Sequence, residues 1–216
     1  MEKIMSVLQT NDIKDIKKFS NKSFKLAIIN RKISYNSDNF INQLLKLSFT
    51  ISGEVQKKTA KDDIRNLLFE ELPIEIQKKS FYKDWVNDMA QLCKTFCDLE
   101  ESNFVSFWLS TYRGCKRYHV DNVPQRLLVT YAGQGTEWLP KEAADIRAYL
   151  NGEPNQNIVK DINKKNYIEK WDIAIFKGGQ GGLLHRTPDT ALSDGNSILM
   201  RLDHSRFWSN IQKQTA

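Results

Sequence analysis

In the segment RYHVDNV, His119 and Asp121 stand two residues apart within a run that reads as a β-strand. Successive side chains of a strand alternate between its faces, so residues i and i+2 point the same way. An imidazole and a carboxylate are therefore aimed together at one side of a sheet. Burying both without partners is costly. They must face water, satisfy each other, or share a third object such as a metal ion.

The chain has two other histidines, His185 in GLLHRTP and His204 in RLDHS. Both lie in the same strand-rich half, and Arg201 lies on the strand after His185. Two imidazoles and one carboxylate on one face of an octahedron, with open positions opposite, suit non-heme Fe(II). Zinc accepts the same donor types, and Cys115, four residues before His119, would extend them to a Cys-His-Asp set. A hydrogen-bonded His119–Asp121 pair on a solvated edge strand is the reading without a metal. His204 reads as structural or surface. For Arg201 the alternative role is an ion pair with Glu137 or Asp203. Arg186 should face away from His185, outward. The run GGQGG lacks the Lys-Ser/Thr and helix of a phosphate loop, so it reads as a turn. No Gly-x-Ser-x-Gly motif occurs, and no cysteine has an evident base beside it.

Two regions differ in period. Residues 1–101 read as mainly helical, with one short strand near Phe24–Ile29. DNFINQLLKLS and DDIRNLLFEELP suit short amphipathic helices, the second closed by Pro73. In FYKDWVNDMAQLCKTFCDLE the residues Phe81, Trp85, Met89, Leu92, Cys93 and Phe96 mark one buried face of a longer helix. Residues 102–216 read as strands: NFVSFWLSTY, KRYHVD, RLLVTYAG, GTEWL, WDIAIFKGG, GLLHRTP and SILMRLDHS. A helical insertion near Lys141–Leu150 interrupts them, a further short strand is expected at Ile158–Val159, and PDTALSDGNS reads as a long hairpin loop. In GTEWL, Glu137 and Trp138 must face opposite sides. Many short strands with close turns suggest an antiparallel sandwich or barrel, so the fold class is α+β in one compact unit.

The order His-x-Asp, Tyr-x-Gly-x-Gly-Thr-Glu, a distal His and an Arg on the following strand resembles the Fe(II)/2-oxoglutarate-dependent dioxygenase superfamily. The longer run CKRYHVDN…RLLVTYAGQGTEWLP…FKGG…HRTP…RLD is more closely similar to an uncharacterised bacterial family known as a domain of unknown function. The resemblance covers roughly Phe104–Asp203. It implies a C-terminal double-stranded β-helix, the jelly-roll or cupin-like fold, braced from outside by the N-terminal helices. It implies that His119, Asp121 and His185 ligate Fe(II), or zinc, and form the catalytic set. Arg201 matches the basic residue that pairs with the far carboxylate of 2-oxoglutarate through a two-pronged guanidinium. Tyr131, Arg126 and Thr136 come from the strand pair that helps hold this co-substrate. The implied reaction is hydroxylation or demethylation of a small-molecule or protein substrate, with 2-oxoglutarate converted to succinate. Two other readings share the fold: a cupin-like zinc or iron protein that does not use 2-oxoglutarate, and a binding module without catalysis.

Composition narrows the partners. The 216 residues are 40% hydrophobic and 11% aromatic, enough for a packed core. With 27% charged residues and no apolar run near 18, a membrane span is not expected. The charged N-terminus does not resemble a signal peptide, so a cytoplasmic location is expected. The net charge of +6 is spread evenly, 17 basic against 14 acidic residues through position 100 and 15 against 12 afterwards. Such a diffuse surface argues against a nucleic-acid partner. The three cysteines, Cys93, Cys97 and Cys115, fit no disulfide framework and read as reduced.

Overall fold

The computed structural model describes residues 6–20, 23–32, 37–192 and 197–206. The N-terminal part runs β1 (Val7–Thr10), a 3-10 helix at Ile13–Ser20, β2 (Leu26–Ile29), α1 (Ser37–Leu44), β3 (Thr50–Gln56), α2 (Ala60–Phe69), α3 (Ile74–Gln77) and α4 (Tyr82–Leu99). The remainder runs β4 (Phe104–Ser110), β5 (Gln125–Ala132), β6 (Glu137–Trp138), α5 (Ile146–Leu150), α6 (Asn155–Ile158), β7 (Asn166–Tyr167), β8 (Ile173–Lys177), β9 (His185–Arg186) and β10 (Ile198–His204).

Seven strands form one sheet in the order β1-β2-β8-β5-β10-β4-β3, and three form a second in the order β7-β6-β9. Pairing is antiparallel except between β1 and β2. The N-terminal part thus supplies both edges of the larger sheet as well as helices. The strand β3 is hard to read from its residues: TISGEVQ alternates, burying Ile51 and Val55, but Gly53 takes the inward position between them and leaves only two apolar side chains to mark the face.

Alternation along the central strands separates two cores. On β5, Leu127, Val129 and Tyr131 face the helices, while Leu128 faces the smaller sheet. On β10, Met200 and Leu202 face the helices and Leu199 the other side. A one-residue slip would exchange these faces, so burial fixes the register. The helix α4 lies over the larger sheet through Trp85, Met89, Cys93 and Phe96, none of them exposed. Its Trp85 meets Tyr131 edge-to-face with ring centroids 5.8 Å apart, a geometry that adds about 0.5–1.5 kcal/mol beyond the area buried. A third apolar cluster, including Tyr118, Leu139, Ala148, Ile158 and Leu184, covers the outer face of the smaller sheet.

Several local expectations change. The helical insertion is broken into a 3-10 turn at Lys141–Ala143 and α5. Ile158 ends α6 rather than opening a strand, and Val159 makes one bridge to Ala144. The KRYHVD strand contracts to a single bridge between His119 and His185. In the loop PDTALSDGNS, Asp189–Ala191 forms a 3-10 turn, and residues 193–196 lie outside the described residues. Cys93 and Cys97 are buried, Cys115 is exposed, and all three are free thiols. No helix among the described residues is long and apolar enough to cross a membrane.

At the end of α4, Glu100 is largely withdrawn from water near Asp203 of β10. Burial and that neighbouring charge push its pKa up to about 7. The folded state therefore favours the neutral acid: the associated stability is full below the ordinary pKa of 4.5 and is lost as pH rises through about 7. E100Q is expected to melt at a higher temperature than the parent at pH 8 and at a similar one at pH 5. Equal differences at both values would refute this.

Candidate metal centre

His119, Asp121 and His185 converge. One ligand atom from each can be chosen so that all lie within 4.8 Å of one another. His185 Nε2 is 3.2 Å from Asp121 Oδ2, and His119 Nε2 is 3.7 Å from Asp121 Oδ1. The backbone explains the convergence. His119 and His185 face each other across an antiparallel bridge in which each N–H donates to the other's carbonyl at 3.0 Å. Their rings stand 4.5 Å apart, and Asp121, two residues on, projects from the same side.

The ring nitrogens are oriented as ligands need. Nδ1 of His119 lies 3.0 Å from the carbonyl of Arg117, and Nδ1 of His185 lies 3.1 Å from that of Leu183. A carbonyl can only accept, so each Nδ1 carries a proton, and each Nε2, which points at the carboxylate, is the nitrogen that a cation would bind once deprotonated. The Asp121 side chain is 1% exposed, and its Oδ2 faces His185 Nε2 at 3.2 Å without a well-aligned hydrogen bond. A buried carboxylate oxygen left in that state is costly unless a cation completes it. The residues present therefore fit a metal ion.

Electrostatics agree with this. Burial works against the Asp121 anion, yet His119, His185 and Arg126 together hold its carboxyl far below the usual range. Burial likewise disfavours a charged His119, but hydrogen bonding to Asp121 and Cys115 outweighs it and pushes the imidazole up to about 10. In the metal-free protein His119 carries the proton that a cation would displace.

A cavity of about 130 Å³ adjoins the centre, lined in part by His119, His185, Arg126, Thr136 and Arg201. Arg126 donates to Asp121, and through Nε to Asp203 Oδ1 at 2.7 Å. Arg201 lies 2.9 Å from Asp203 Oδ2 and sits over the Trp108 ring at 5.0 Å. Of the two carboxylates considered for Arg201, Asp203 is the partner. Thr136 accepts from Arg113 Nη2 at 3.1 Å.

Tyr131 is not brought to this cavity. Its odd position on β5 turns it toward the helices, where it packs between Trp85 and Trp171, and its hydroxyl donates to Asp88 at 2.9 Å. The expectation that it holds a co-substrate is corrected on that ground. Arg186 does face away from His185, but it is buried, pairing with Glu137 through Nε and Nη2 at 3.1 and 3.0 Å and with Asp189 at 2.7 Å. Glu137 also accepts from Tyr118 and Tyr167, while Trp138 faces the interior. Among the lining residues that escaped the sequence reading are Arg113 and Trp108. Trp108 follows from strand alternation. Arg113 sits in an irregular segment after β4, where no periodicity assigns a face.

The GGQGG turn has a positioning role. A Cβ on Gly178 would lie 2.0 Å from the Val123 carbonyl oxygen and 2.3 Å from that of Asp121. G178A must displace the segment that carries Asp121. Mn(II) affinity is expected to fall about 10–100-fold, the range typical of lost support around a ligand. An unchanged titration curve would show that the close approach is irrelevant to the metal.

The chain belongs to the family described as "Protein of unknown function (DUF1826)", whose model matches residues 10–203. Among solved structures, it is similar to a bsmA homologue from Methylobium petroleophilum PM1, with 8% identity and a TM-score of 0.44 over 89% of this chain and 92% of that one. It is also similar to the Fe(II)/α-ketoglutarate-dependent dioxygenase TqaL, with 10% identity and a TM-score of 0.45 over 88% of this chain and 85% of that one. Likeness at this level transfers neither a reaction nor a residue's role. No curated protein matches the chain in sequence.

Proposed function

We propose that the protein is an Fe(II)- and 2-oxoglutarate-dependent oxygenase built on a double-stranded β-helix. The strand orders support this fold: β4-β10-β5-β8 within the larger sheet faces β7-β6-β9, which the His119 bridge extends. The observation that carries the function is the convergence of His119 and His185 on the buried Asp121 carboxylate, with one ligand atom from each within 4.8 Å of the others.

In this reading His119 Nε2, His185 Nε2 and an Asp121 oxygen hold the metal. When bound, the metal and 2-oxoglutarate supply oxidising power from dioxygen, with succinate and carbon dioxide as by-products. The chain's own residues orient and protect. The carbonyls of Arg117 and Leu183 fix the imidazoles, and Arg126 holds Asp121. Phe176, stacked 4.2 Å from His185, closes the interior against water. The guanidinium groups along the cavity supply the charge that a carboxylic acid needs.

Cys115 supports a second reading. Its thiol lines the same cavity, and hydrogen bonding to His119 lowers its pKa. A thiolate beside two imidazoles favours zinc. Metal analysis of protein purified without oxygen separates the two metals. Succinate release by the Fe(II)-loaded chain, measured with and without 2-oxoglutarate, tests the co-substrate. An iron-loaded protein that releases no succinate under any condition would count against the oxygenase. Tightly bound zinc that iron cannot replace would favour the second reading.

A further inference from the structure

We propose that Arg113 is the residue that receives the distal carboxylate of a 2-oxo dicarboxylic acid in the cavity beside the metal centre. This rests on the oxygenase reading and assigns to one side chain a role that the resemblance gives to Arg201.

The four arginines lining the cavity differ in their partners. Arg186 is balanced by Glu137 and Asp189. Arg126 is balanced by Asp121 and Asp203, and Arg201 by Asp203. Arg113 has no ion-pair partner among the described residues. It is 3% exposed, and its donors meet only neutral acceptors: the Gln134 carbonyl at 2.8 Å, Ser197 Oγ at 3.4 Å and Thr136 Oγ1 at 3.1 Å. Its Nε is buried without a hydrogen-bond partner. An uncompensated guanidinium in the interior is expensive, and such expense concentrates at sites that wait for a ligand.

The charge count gives the class of that ligand. With Arg186 set aside, three guanidinium groups line the cavity, Arg113, Arg126 and Arg201, and among the described residues two carboxylates, Asp121 and Asp203, pair with the latter two. The excess is one positive charge, and a divalent cation would raise it to three. A dianion brings it back to one, whereas a neutral ligand leaves it all in place. The volume of about 130 Å³ is close to that of an engineered cavity of about 150 Å³ that takes up benzene, room for a small acid. A keto acid that chelates the metal with one end and carries a carboxylate at the other matches both the charge and the size. The neutral acceptors fix the Arg113 fork and leave its Nε to be satisfied.

The test is calorimetric titration of the Mn(II)-loaded full chain with 2-oxoglutarate and with pyruvate, which shares the keto-acid head but lacks the distal carboxylate. R113Q is expected to keep Mn(II) stoichiometry, lose about 100-fold in 2-oxoglutarate affinity, as for a buried charge partner removed, and bind pyruvate as the parent does. R201Q is expected to lose less than tenfold. If R113Q does not fold, R113K decides, since it retains the charge without the fork; it should fall between the parent and a full loss, and parent-like binding would overturn the assignment. Parent-like 2-oxoglutarate binding by R113Q, or the large loss appearing in R201Q instead, also overturns it. A Mn(II)-loaded parent that binds neither acid refutes the 2-oxo acid reading itself, and this assignment with it.

Discussion

The H185A variant is expected to lose stoichiometric Mn(II) binding while remaining folded. Its imidazole supplies one of three donor atoms clustered within 4.8 Å, and two donors alone make a weak site for a divalent ion. For the parent, metal at about 100 times its dissociation constant should add roughly 2.7 kcal/mol to stability. The variant should show no such gain in a thermal melt. The affinity also carries a pH signature. His119, pushed up to about 10, must give up its proton to bind a cation, so uptake releases a proton and tightens as pH rises. Between pH 6 and 8 the expected change is about tenfold per unit. H185A that retains parent-like Mn(II) affinity, or a flat pH profile, would remove the basis for the metal centre.

E137A is expected to be the most destabilising of the substitutions considered. The Glu137 side chain is 1% exposed and that of Arg186 6%, and they form a two-pronged pair. Removing one partner of a buried pair leaves a charge without compensation and typically costs about 3–5 kcal/mol. For a chain of this length that corresponds to a fall in melting temperature on the order of 10 °C. Asp189 can relieve only part of the loss, because its side chain is 76% exposed. Arg186 adjoins His185 in the two-residue strand β9, so Mn(II) affinity should weaken along with stability. A variant that melts within about 2 °C of the parent would show that the pair contributes little.

The pairing of His119 with Asp121 was legible because strand alternation is a strict rule: two residues apart on one strand means one face. The same rule fails when the face that leads inward is unknown. RLLVTYAG marks β5 plainly, yet both of its faces are buried, one under α4 and one under the smaller sheet. Nothing in its residues says that Arg126 looks toward the histidines while Tyr131 looks toward Trp85. The longer helices were readable from period alone, α4 above all. The edge strands β1 and β3 were not, since their residues are only partly buried and mix polar with apolar types. Arg113 was invisible for a different reason. The role proposed for it depends on its having no carboxylate partner among the described residues, and that is a property of the packed interior.

The bridge between His119 and His185 is one rung long, and its two residues also carry two of the proposed ligands. A cation held there would act as a rivet across the seam where the His-x-Asp segment meets β9. Chelation should let that seam breathe. Amide protons at the two rung positions would then exchange with deuterium much faster than those of β5 and β10, which are shielded by neighbours on both sides.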